Sequence, residues 1–162
     1  MDTKRMTRLA LLTSVALIIF IIELHIPNLA PVPGIKLGLA NIITVYAMYK
    51  YSFGDTALVV FTRILLGTVF SGNISAIFYS IGGSVLCMCG MFLLRRVTDE
   101  KYLWISSVIG AVLHNTGQIM VAVVMLKTTA VFSFFPFLLI SGCIAGAFTG
   151  ICAQILCSRI NL

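Results

Sequence analysis

Charge is what this sequence has least of. Only 10% of its 162 residues are Asp, Glu, Lys or Arg, where a soluble domain carries about 25%. Sixty per cent are apolar and the mean hydropathy is +1.10, too little polar surface to meet water all round. At about 20 residues per spanning helix, roughly six spans with short loops use up the whole chain. No length remains for a separate soluble domain, so the composition describes a small integral membrane protein.

Acids are scarcer still, with 5 Asp and Glu in all. Asp99 and Glu100 are adjacent, but they share a charged turn with Lys101. Holding Mg²⁺ against a diphosphate takes clustered carboxylates, and this pair is better read as solvated. There is no G-x-x-x-x-G-K-[ST] loop for nucleotide phosphates, and no Ser/His/Asp constellation. Cys87, Cys89, Cys143, Cys152 and Cys157 make an odd set without a C-x-x-C pair, which argues against a zinc site or a disulfide framework. Lying in or at the ends of apolar runs, they read as buried free thiols. The expectation is a protein that is not an enzyme and has no intrinsic cofactor.

What the chain does have is long apolar runs, expected as six helices at about 9–26, 36–50, 55–71, 74–95, 102–126 and 131–157. A segment in lipid must satisfy its own backbone, which makes these helices. The first run follows Lys4, Arg5 and Arg8 as a signal peptide would, but it is long and no A-x-A site follows; it reads as the first span. The net charge of +6 would suggest nucleic acid in a soluble chain. Here topology explains it, and no nucleic-acid partner is expected. With the N-terminus inside, Lys4, Arg5, Arg8, Lys50, Arg95, Arg96, Lys101 and Arg159 fall on the cytoplasmic side, against Lys36 and Lys127 outside. That asymmetry orients a multi-pass protein of the cell membrane with both termini cytoplasmic. Tyr46, Tyr49 and Tyr51 then read as an inner aromatic belt.

Small residues recur at helical spacing. Gly142, Gly146 and Gly150 form overlapping G-x-x-x-G units, and Ala10 with Ser14 a weaker pair. Such stripes let helix backbones approach closely in lipid; internal packing is the first reading, a partner surface the second.

Strongly polar residues inside apolar runs cost roughly 2.5–3.5 kcal/mol each for a central charge, so each needs a reason. The set is Glu23, Lys36, Asn41, Arg63, Asn73, His114, Asn115 and Gln118. In the orientation above they fall in the middle and outer half of the bundle, which describes a pocket opening outward. His114 and Gln118, four apart, share one helix face. Arg63 is either a bridge to Glu23 or a ligand contact, its planar cation suiting carboxylate or phosphate. Lys36 either snorkels to the interface or meets substrate. Lys36 and Arg63 against Glu23 favour an anionic ligand.

Three blocks resemble a known family: Pro33-Gly34-Ile35-Lys36-Leu37-Gly38-Leu39-Ala40-Asn41, then Thr62-Arg63-Ile64-Leu65-Leu66-Gly67 with Ser71-Gly72, then His114-Asn115-Thr116-Gly117-Gln118. With the span pattern they resemble the Gx transporter family, also labelled heptaprenyl diphosphate synthase component I. That family is grouped with the substrate-binding S components of energy-coupling factor transporters. The resemblance implies six helices around an outward pocket. It also implies docking of a transmembrane coupling subunit with its ATPases through an A-x-x-x-A stripe on the first helix. This chain departs from that stripe with Ser14 opposite Ala10. Some members accompany flavin-transfer and electron-transfer genes, which makes riboflavin or its phosphate FMN the leading solute. Lys36 and Arg63 would meet the phosphate and aromatic residues the isoalloxazine ring. The alternative is a non-catalytic membrane component of polyprenyl diphosphate synthesis, and a third reading is a scaffold in a larger redox complex.

Overall fold

The computed structural model describes residues 2–25 and 38–159. Lys36 and most of the first resemblance block lie outside them. Among the described residues the regular elements are all helical: α1 Thr3–His25, α2 Asn41–Lys50, α3 Phe53–Ser71, α4 Ala76–Leu94, α5 Leu103–Leu126 and α6 Phe135–Arg159. Short 3-10 turns, Glu100–Tyr102 and Thr129–Phe134, lead into α5 and α6.

Five of these helices are long and apolar enough to cross a bilayer, α6 together with its leading turn. The sequence reading expects six spans, and α2 is the difference. Its 10 residues rise about 15 Å at 1.5 Å per residue, half of a hydrocarbon core about 30 Å thick. Apolar nearly all round, it is buried from Ile43 to Tyr49 and packs against α1, α3, α4 and α6. This corrects the aromatic belt: Tyr46 and Tyr49 are 3% and 5% exposed, core residues of an interior helix. Tyr49 Oη donates to Ser106 Oγ of α5 at 2.7 Å.

The helix ends show why the chain turns where it does. Ser52 caps α3, its Oγ accepting the Asp55 N–H at 3.3 Å, as N-cap serines do. Gly72 closes α3 at φ 66°, a left-handed conformation that costs glycine no Cβ clash. Arg95, beyond α4, satisfies two carbonyls at the end of α2: its Nη1 donates to Met48 O at 2.6 Å and Tyr51 O at 2.8 Å. Arg5 of α1 holds Asp55 of α3 through Nη2 at 2.7 Å, tying those two helices at one end.

Helices α4, α5 and α6 form the most closely packed body, while α1 lies on α3 and α2 fills the space between. Small residues produce the close approach. A Cβ on Gly117 of α5 would sit 2.5 Å from Gly82 O of α4. On α6, a Cβ at Gly146 would meet Val108 Cα at 2.8 Å, at Gly150 Trp104 Cα at 2.7 Å, and at Gly142 Asn115 Nδ2 at 2.5 Å. The glycine stripe of α6 is thus spent on α5, inside the bundle. Ala10 and Ser14 are exposed on α1, and Ser14 Oγ donates to Ala10 O at 2.9 Å. The thiols need a correction too: Cys157 is buried, Cys87 and Cys152 are half-buried, and Cys89 and Cys143 face outward. In lipid a thiol can sit on the outer face because that face is apolar as well.

Candidate functional site

One stripe from each of several helices lines an interior chamber. Asn41, Thr44 and Val45 come from α2, Ser84, Cys87, Met88 and Met91 from α4, and Ser107, Ala111 and His114 from α5. Arg63 of α3 and Thr149 of α6 complete the wall. The spacings i, i+3, i+4 and i+7 put each set on a single helix face, so regular helices suffice to bring these groups together.

Arg63 is the chamber's cation. Its Nη1 donates to Asn41 Oδ1 at 3.4 Å, long for a hydrogen bond to a charged donor. The bridge to Glu23 is not formed. Glu23 is 5% exposed and its Oε1 accepts the Gly38 N–H, fixing the chain just before α2. Its charge reaches Arg63 only through space; among the described residues the ion pair is Arg5 with Asp55. Gly38 has φ 68°, so the backbone there turns in a way that favours glycine.

His114 lies against α4, where a Cβ on Gly83 would come within 2.9 Å of its Cε1. Gly83 therefore makes room for the imidazole beside the chamber. Thr44, 7% exposed, has an Oγ1 with no hydrogen-bond partner among the described residues. Ser107 and Thr149 share a hydrogen bond at 3.3 Å across α5 and α6. Among the described residues the wall offers a guanidinium, an amide, hydroxyls and an imidazole, and no carboxylate. Chemically, such a set can hold an oxyanion by charge and hydrogen bonds.

The remaining expected site residues sit elsewhere. Asn115 Nδ2 donates to Leu138 O at 2.6 Å, cross-linking α5 to α6 away from the chamber. Gln118 packs beside Gly83 and is not among the chamber-lining residues. Asn73 is exposed between α3 and α4, where its Oδ1 accepts from Ser75 Oγ at 2.8 Å and from the Ala76 N–H, the first of α4, at 3.3 Å. Lys36 lies outside the described residues. In their place the chamber uses Thr44, Ser84, Ser107 and Thr149. Its wall also runs toward the α4 C-terminus through Met91 and toward the α5 N-terminus through Ser107, beyond the half expected from the sequence. Its free volume is about 30 Å³, room for about two waters.

A family model described as heptaprenyl diphosphate synthase component I matches residues 12–156. No curated protein and no solved structure matches the chain.

Proposed function

The chain belongs to the heptaprenyl diphosphate synthase component I family, and we propose that it captures a small anionic solute in the interior chamber, as a non-catalytic transport or substrate-binding subunit of the cell membrane. The observation that carries this reading is Arg63: a guanidinium on an interior wall whose described hydrogen-bond partner is one distant amide. A cation without an ion-pair partner among the described residues is costly at membrane depth, and a phosphate or carboxylate would offset that cost with two parallel hydrogen bonds. The unpartnered Thr44 hydroxyl offers a further donor.

A flavin, as riboflavin or FMN, is the solute class we assign on sequence resemblance, with the FMN phosphate at Arg63. The closed chamber of about 30 Å³ takes no isoalloxazine ring, so loading requires α1–α3 to lean away from α4–α6. We place the termini in the cytoplasm and the opening on the outer side. The energy for release comes from a partner such as a coupling subunit. The test is titration of the purified full chain with riboflavin and FMN, alongside its Arg63→Ala variant. FMN should bind and weaken by at least about 30-fold in the variant, given roughly 2–5 kcal/mol for removing one side of a buried charge pair. Binding of neither flavin removes the flavin assignment. Equal FMN binding by both proteins removes the chamber.

A second reading rests on the family description: a membrane component that holds a polyprenyl diphosphate for a partner subunit. There Arg63 would meet the diphosphate while the tail leaves sideways between helices. Binding of an isoprenoid diphosphate in preference to FMN selects it.

A further inference from the structure

A second cationic site lies at one end of the bundle, where the end of α2, the start of α3 and the end of α4 meet. Lys50, Tyr51, Ser52, Phe53, Phe92, Arg95 and Arg96 line a groove of about 540 Å³. Three of these side chains are basic and none is acidic. Asp55, in the first turn of α3, is already occupied: Arg5 Nη2 reaches it at 2.7 Å and Ser52 Oγ at 2.8 Å, and Asp99, in the turn after α4, is exposed and not among the groove-lining residues.

The two arginines are posed differently. Arg95 is pinned through Nη1 to Met48 O and Tyr51 O, which leaves Nη2 and Nε without a hydrogen-bond partner among the described residues. Arg96 lies over the Phe92 ring, 5.7 Å from its centroid, and Phe92 packs edge-on against Phe53 at 5.2 Å. Exposed apolar residues flank the two arginines in sequence, Leu93 at 62% and Val97 at 88%. Lys and Arg at span ends are ordinary in membrane proteins. Two guanidiniums just beyond α4 and the Lys50 ammonium at the end of α2 converge on an aromatic-walled groove whose described lining carries no acid, and together they form a built anion site.

We propose that this groove holds the phosphate of an anionic phospholipid, with Arg95 and Arg96 on the headgroup and Phe53, Leu93 and Val97 against the acyl chains. The position at the ends of α3 and α4, two membrane-crossing helices, favours a lipid. A free phosphate would leave the apolar border uncovered, and an acidic polypeptide would set carboxylates against Leu93 and Val97. The site is separate from the chamber and does not depend on it.

The experiment places the full chain in phosphatidylcholine nanodiscs and titrates in phosphatidylglycerol. It reads the melting temperature and, by native mass spectrometry, the lipid retained. Arg96→Gln removes one cation but leaves the Arg95–carbonyl bonds, so it should melt as the wild type does in pure phosphatidylcholine. Phosphatidylglycerol should be retained in preference to phosphatidylcholine and raise the wild-type melting temperature. Arg96→Gln should need about fivefold more of it, since a basic residue near an anionic surface contributes about a factor of five. Arg96→Lys, which keeps the charge, should stay within about twofold of the wild type. The proposal is overturned if Arg96→Gln retains and responds to phosphatidylglycerol as the wild type does, or if Arg96→Lys behaves as Arg96→Gln. It is equally overturned if phosphatidylcholine is retained as well as phosphatidylglycerol. Inorganic phosphate or polyglutamate giving the same protection at equal charge would also defeat it.

Discussion

Arg63 and Thr44 are both placed at a cost the fold alone does not recover, which separates them from the polar residues that hold helices together. Thr44→Val keeps the shape and removes a hydroxyl without a partner, so stability should hold or rise slightly. If the hydroxyl serves a ligand, affinity should fall by about fivefold, the worth of one ordinary hydrogen bond of about 1 kcal/mol. Thermal melts paired with FMN titration would show that split. Asn115→Ala should do the opposite. Losing the bond to Leu138 O should destabilise by roughly 0.6–2 kcal/mol, the range for interhelical hydrogen bonds in membranes, and leave solute affinity unchanged. His114 and Asn115 are neighbours in sequence and turn to different helices about 100° apart on α5. The sequence shows two polar residues in an apolar run; which one reaches the chamber depends on the position of α6. The chamber hydroxyls were less legible still, because Ser and Thr in helices routinely bond the carbonyl one turn back. Thr149 does this, donating to Ala145 O at 2.9 Å, while also lining the chamber.

Glycine at helix contacts sets how near α5 can come to its neighbours. Gly117→Ala would put a Cβ 2.5 Å from Gly82 O, backbone that cannot swing aside, so α4 and α5 must separate. A loss of about 1–3 kcal/mol is expected, typical of overpacking. Gly54→Ala in the first turn of α3 meets nothing within 4 Å and should be neutral or stabilise by up to about 1 kcal/mol. Equal effects in chemical denaturation would contradict the packing described. At this scale, apolar run lengths are enough to mark α1, α3, α4, α5 and α6 as long helices. They could not show that α2 is interior, since a short apolar helix looks the same whether protein or lipid surrounds it. Only the tight body around it, with Tyr49 bonded to Ser106, reveals that.

At the scale of the whole molecule, the chamber lies on the seam between the α4–α6 body and the α1–α3 group. In the proposed reading, solute access depends on those two moving apart, with α2 carrying Asn41 and Thr44 and α3 carrying Arg63. Joining α3 to α4 across the seam with a short chemical cross-link should abolish solute binding while leaving the melting temperature equal or higher. The most direct test uses a thiol already present in the chamber wall. Cys87 lines it, whereas Cys157 is 3% exposed in the hydrophobic core. Single-cysteine versions of each are treated, folded and in membranes, with a small water-soluble methanethiosulfonate, and modification is counted by mass spectrometry. A chamber that opens as α1–α3 part from α4–α6 predicts that Cys87 reacts, that solute slows the reaction, and that Cys157 stays unmodified. A Cys87 as inert as Cys157 until the protein is denatured would contradict it.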